Sequence, residues 1–108
     1  MLNKIINNST QFFSICQTHN IQYLYAFGSV TNDTFNTDSD IDLLVELYDT
    51  DPIKKGELLI SLWDTFENYF KRKVDLLTPS SLKNPYLTKQ IENTKILVYH
   101  GEESKIIN

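Results

Sequence analysis

Two dipeptides, Asp51-Pro52 and Asn84-Pro85, do most to limit what this chain can fold into. In each, a side chain able to accept backbone N–H groups stands just before a proline. That proline's fixed φ suits the first helical turn, where its missing N–H is no loss. Each pair predicts a helix start, so the apolar segments around them must supply the sheet. After Asp51-Pro52, the residues Leu59, Leu62, Trp63, Phe66, Tyr69 and Phe70 recur at three-four spacing, the pattern of a helix face turned to a core. Gly56 weakens the first turn, and the regular helix is expected to begin only after it. Lys71, Arg72 and Lys73 crowd the expected C-terminus, where cations suit the helix dipole. The helix opened by Asn84-Pro85 is short, with Leu87 and Ile91 one turn apart.

Ahead of these, residues 2–19 carry Leu2, Ile5, Ile6, Phe12, Phe13, Ile15 and Cys16 at helical spacing, with Asn20 as a left-handed stop. Ile21–Phe27 is aromatic and branched and ends at Gly28, a strand signature. Residues 29–39 read as a polar loop or a short turn of helix, 40–47 and 73–78 as strands, the latter cut by Pro79, and 95–99 as a last strand. The order helix, strand, strand, helix, strand, helix, strand predicts an α/β (α+β) domain, a small mixed β-sheet with helices packed on it. A length of 108 residues suits one domain, 1–108, with 101–108 expected to fray.

Composition narrows the function classes. An apolar share of 41% and a charged share of 22% are ordinary for a soluble globular protein. No apolar run approaches the roughly 20 residues needed to cross a bilayer, and the first residues do not read as a secretory signal. Cys16 is the one cysteine, so no internal disulfide forms, and a reducing, cytoplasmic setting is expected. It lies on an apolar helix face and reads as a packed thiol. A net charge of −4 speaks against a broad grip on nucleic acid. His19 and His100 lack Cys or acidic neighbours at metal-ligand spacing, so zinc is not expected.

Charge is concentrated where a strand begins. Along 40–47 side chains alternate faces, which sends Asp40 and Asp42 to the same side. Two carboxylates a few ångströms apart repel by about 4 kcal/mol at an effective dielectric near 20. Protonation, solvation or a bound cation relieves this. Asp75 interrupts another apolar strand, and if that strand lies beside the first, the three acids converge into a set suited to Mg²⁺. Gly28-Ser29 forms a tight turn whose backbone N–H groups and hydroxyl suit phosphate. Asp38, in a Thr-Asn-Asp loop, reads as a turn residue.

Gly28-Ser29, ten residues, then Asp40-x-Asp42 and Leu-Leu-Val resembles the signature of the polymerase-β-type nucleotidyltransferases. Asp75 within KRKVDLLTP and the later QIENTKILVYHGEE extend the likeness over about residues 21–102. The lack of a further domain points to the minimal nucleotidyltransferases (MNT), antitoxins of HEPN/MNT pairs. The resemblance implies Mg²⁺-dependent transfer of AMP from ATP to a protein hydroxyl, a tyrosine of a helical HEPN partner encoded nearby. It also implies that Gly28 and Ser29 hold the triphosphate, that Asp40 and Asp42 bind one or two ions, and that Asp75 binds metal or activates the acceptor hydroxyl. Family members carry an Arg soon after the Gly-Ser, whereas this chain has no Lys or Arg between Gly28 and Asp42. Phosphate charge is then left to metal, to backbone N–H groups, or to Lys54, Lys55, Lys71, Arg72 and Lys73. The alternative is a module that keeps the fold without turnover and neutralises a helical partner by contact.

Overall fold

The computed structural model describes residues 9–28, 40–101 and 105–106. Helix α1 spans Ser9–Thr18, followed by β1 (Ile21–Phe27), β2 (Ile41–Leu47), α2 (Pro52–Phe70), β3 (Val74–Leu77), a 3₁₀ turn (Pro79–Ser81), α3 (Pro85–Thr94), β4 (Ile96–His100) and β5 (Lys105–Ile106). Residues 2–8 of the expected first helix and the expected loop 29–39 lie outside the described residues. Where a frayed tail is expected over 101–108, Lys105–Ile106 pairs antiparallel with β4 as a two-residue strand.

Both proline-opened helices start at their caps. Asn84 Oδ1 accepts from Tyr86 N at 2.9 Å, and Asp51 Oδ2 accepts from Lys54 N at 3.1 Å. The delay expected from Gly56 does not occur, because α2 runs unbroken from Pro52. Its first turn is held by the Asp51 cap and by the bond from Lys55 N to Asp51 O (2.9 Å). Replacing Asp51 with Ala is expected to cost about 1 kcal/mol in a urea titration, and Asp51→Asn to retain most of that. Lys71 ends the helix in the left-handed region (φ 57), its N–H bonded to Glu67 O, and Asn20 ends α1 in the same way (φ 56).

The sheet has the order β3-β2-β1-β4-β5, with β2 and β3 parallel and the other neighbours antiparallel. Alternation along β2 divides the molecule. Ile41, Leu43, Val45 and Leu47 face α1 and α2, where Phe12 and Phe66 stack at 5.8 Å between ring centroids. Leu44 faces the other way, buried with Phe27 beneath Ile91 of α3. Cys16 is fully buried in the larger core, and burial pushes its thiol pKa upward, as a packed, unreactive thiol requires. His19 is also buried. Its Nδ1 donates to Ile15 O (2.8 Å) and its Nε2 faces Ser61 Oγ (3.0 Å), which ties α1 to α2.

The α2 stripe is core only in part. Leu62 and Phe66 are buried, while Trp63 stays 40% exposed because it leans over the sheet edge. Its indole N–H donates to Val74 O (2.7 Å), and Glu67 Oε2 accepts from Val74 N (3.0 Å). These two side chains occupy outward-facing backbone groups of the edge strand β3, which would otherwise invite pairing with another chain. They also fix the level of β3 against α2. Among the described residues no helix is long and apolar enough to cross a membrane.

Candidate active site

Register places the acids. Antiparallel pairing sets Phe27 opposite Asp42, and parallel pairing sets Asp42 opposite Asp75. Asp42 therefore sits between the end of β1 and the start of β3, on the face covered further along by α3. Its neighbours in the chain, Ile41 and Leu43, are buried toward α1 and α2, which leaves Asp42 no other side to take. On β3, Val74 and Leu76 are likewise buried and Asp75 is exposed. Asp40 is exposed at the mouth of β2.

Gly28 closes the site from the β1 side. Its φ is +75°, and a Cβ built there would collide with Asp42 Oδ2. The Asp42 carboxylate thus occupies the room that the missing side chain leaves, beyond the strand stop that Gly28 signals in the sequence. Ser29 and Asp38 lie outside the described residues.

The electrostatics are one-sided. Burial, then the charge of Asp75, then that of Asp40, push the Asp42 carboxyl from 3.8 up to about 6. No Lys or Arg is among the groups acting on it. As they stand, the described residues contain no group of three His, Cys, Asp or Glu side chains gathered closely enough to hold a metal ion. The donor set nonetheless fits one. All three groups supply hard carboxylate oxygens, a divalent cation would offset their mutual repulsion, and Asp40 and Asp75 are exposed and able to turn toward Asp42.

The cations named from the sequence separate in space. Lys54 pairs with Asp49 (3.3 Å) past the far end of β2. Lys55 lines a cavity of about 170 Å³ with Glu46, Thr78, Pro79 and Ser80, beyond the C-terminal ends of β2 and β3. Asp42 and Asp75 stand at the N-terminal ends of those strands, so neither lysine reaches them. Lys71 is the helix cap, and Lys73 immediately precedes β3.

The family model for the polymerase beta nucleotidyltransferases matches residues 10–104. The chain belongs to that family. A Methanocaldococcus jannaschii relative, "Putative protein adenylyltransferase MJ0128", is 34% identical over 82 residues, which cover 76% of this nucleotidyltransferase and 81% of the relative. Among solved structures, a "putative minimal nucleotidyltransferase" superposes with a TM-score of 0.69 at 25% identity, covering 88% of this chain and 93% of that one. A complex of a tri-AMPylated Shewanella oneidensis HEPN toxin with an MNT antitoxin contains a chain matching at a TM-score of 0.59 and 21% identity, over 95% of this chain and 76% of that one. At that identity the likeness is one of fold. Gly28, Asp40, Asp42 and Asp75 all lie within the family match.

Proposed function

We propose that this nucleotidyltransferase is a Mg²⁺-dependent protein adenylyltransferase that moves AMP from ATP onto a tyrosine hydroxyl of a helical HEPN partner, and so acts as its antitoxin. The observation that carries this reading is the half-buried Asp42, packed into the space at Gly28 and flanked by the charges of Asp40 and Asp75. The name of the M. jannaschii relative supports adenylyl transfer to protein, and the AMPylated toxin complex supports the class of partner.

In this reading Asp40 and Asp42, with Asp75, hold the divalent cation, which supplies positive charge to the phosphate oxygens when bound. Gly28 and Ser29 hold the triphosphate through backbone N–H groups and the hydroxyl. The acceptor oxygen forms a bond to the α-phosphorus as the bond from that phosphorus to the bridging oxygen breaks. Pyrophosphate leaves, and the hydroxyl proton passes to Asp75, which is exposed on the edge strand and stands opposite Asp42. Catalysis rests on positioning and charge, as in phosphoryl transfer generally.

The test is incubation with labelled ATP, Mg²⁺ and the HEPN-type protein encoded alongside. Label is expected on the partner with the wild-type chain and none with an Asp40→Ala, Asp42→Ala double variant; transfer that persists in the double variant overturns the assignment. The absence of Lys and Arg between Gly28 and Asp42 favours a second reading, a contact-only antitoxin. That reading predicts inhibition that needs no ATP and ends when the partners are separated, whereas a covalent mark survives separation.

A further inference from the structure

A nucleoside triphosphate brings several negative charges to a corner of the sheet already built from three carboxylates, and the stretch from Gly28 to Asp42 offers no Lys or Arg to meet them. Strand register shows where a cation stands instead. Ile41 pairs with Val74, and the Ile41 N–H donates to Lys73 O at 3.0 Å, so the ladder between the parallel strands extends one residue beyond β3. One step back along both chains from the Ile41–Val74 pair lie Asp40 and Lys73. Val74 is buried while Lys73 and Asp75 are exposed, so alternation sends Lys73 to the side of Asp75. Asp40, Asp42, Asp75 and Lys73 thus take four neighbouring positions at one corner of the sheet.

The backbone under Lys73 is held firmly. Its carbonyl is bonded to Ile41, and the next residue is clamped at N and O by Glu67 and Trp63. Its side chain is exposed, and its ammonium is not among the charges acting on Asp42. Several other cations stand elsewhere or are already engaged. Lys54 is bound to Asp49, Lys55 lies at the far end of the strands, and Lys71 is the left-handed cap of α2. Arg72 is partly buried and already engaged. Lys95, level with Phe27 across the sheet, is paired with Glu92 at 3.0 Å and sits over the Tyr25 ring at 4.4 Å. The run 71–73, one feature in the sequence, is two in space: a helix cap, and a lysine beside the acids.

We infer that Lys73 is the residue that meets the β- and γ-phosphates of ATP, supplying from just ahead of β3 the positive charge that the sequence from Gly28 to Asp42 lacks. This rests on the adenylyltransferase reading above and adds a nucleotide-binding residue to it. The leaving pyrophosphate then departs against a fixed-base cation two residues before Asp75 in the chain.

Calorimetric binding of α,β-methylene-ATP and of AMP, each with Mg²⁺, tests the inference. Lys73→Gln is expected to weaken the triphosphate analogue about tenfold or more and to leave AMP, which has no β- or γ-phosphate, unchanged. In the transfer assay the KM for ATP rises. Lys73→Arg restores most of the binding, and Lys71→Gln, two residues away, changes nothing. Equal weakening of both ligands in Lys73→Gln marks a structural role and overturns the inference, as does unchanged binding of the analogue. Failure of the wild-type chain to bind any triphosphate instead removes the adenylyltransferase reading itself.

Discussion

Asp42→Asn is expected to reduce AMP transfer on the order of 10³-fold while making the metal-free protein more stable at neutral pH. Both effects have one source. Asp42 is the acid where two strands and a glycine turn meet, so in the proposed mechanism it is the central oxygen donor, and its charge is costly to hold. Its carboxyl is pushed from 3.8 up to about 6, first by burial and then by Asp75 and Asp40. Below about pH 4 the folded and unfolded chains both keep this proton, and folding carries no penalty from it. As pH rises from about 4 to about 6 the unfolded chain releases its proton first, so stability falls across that window and stays lower above it. The full shift converts to about 3 kcal/mol, and because the group is only half withdrawn from water, about 1–2 kcal/mol is expected after screening.

Urea titrations at pH 4.5 and 7.5 without metal should show this fall in the wild type and not in Asp42→Asn. Mg²⁺ at the higher pH should recover it in the wild type alone. Parallel pH curves for the two proteins would mean that Asp42 is not the strained acid. Loss of a stabilising interaction and loss of a catalytic group ordinarily come together; here they are expected to part, because the proposed mechanism uses, with a cation, a charge that destabilises the metal-free fold.

The helices were legible because their determinants are local. Asp51, Pro52, Asn84 and Pro85 act within one turn, and each helix starts where those residues place it. Gly56 misled for the opposite reason. Its cost of about 1 kcal/mol is real, but it is outweighed by the cap before it and by burial of Leu62 and Phe66 after it, and the second of these is tertiary. Trp63 shares the three-four spacing of core residues, yet it rides over an edge strand, and only strand order reveals which strand that is. The candidate site divides in the same way. Alternation puts Asp40 and Asp42 on one side from sequence alone, but the position of Asp75 across from Asp42 depends on β3 lying beside β2. The Lys71 turn that separates a cap from Lys73 depends on a left-handed φ that no residue type in KRK announces. The contact of Gly28 with Asp42 joins residues far apart in the chain and has no local signal at all.

That last contact carries the second large effect. Gly28→Ala is expected to destabilise the protein by about 1–3 kcal/mol and to lower transfer about 10²-fold, even though alanine adds a single methyl group. The residue sits at φ +75°, where L side chains are strained, and the added Cβ would fall on Asp42 Oδ2. Two ways of relieving the clash exist, and each damages the site. Moving the backbone drags the end of β1 and with it Phe27, which is packed against Leu44 and Ile91. Rotating Asp42 instead drives its carboxylate toward Asp75 or Asp40, against charges that already raise its pKa. A double-variant cycle separates strain from collision. In an Asp42→Ala background the oxygen is gone, so the stability cost of Gly28→Ala should shrink to that of the left-handed backbone alone. If the cost is the same in both backgrounds, the carboxylate is not what requires a glycine at this turn, and the tight packing of Asp42 against position 28 loses its place in the mechanism.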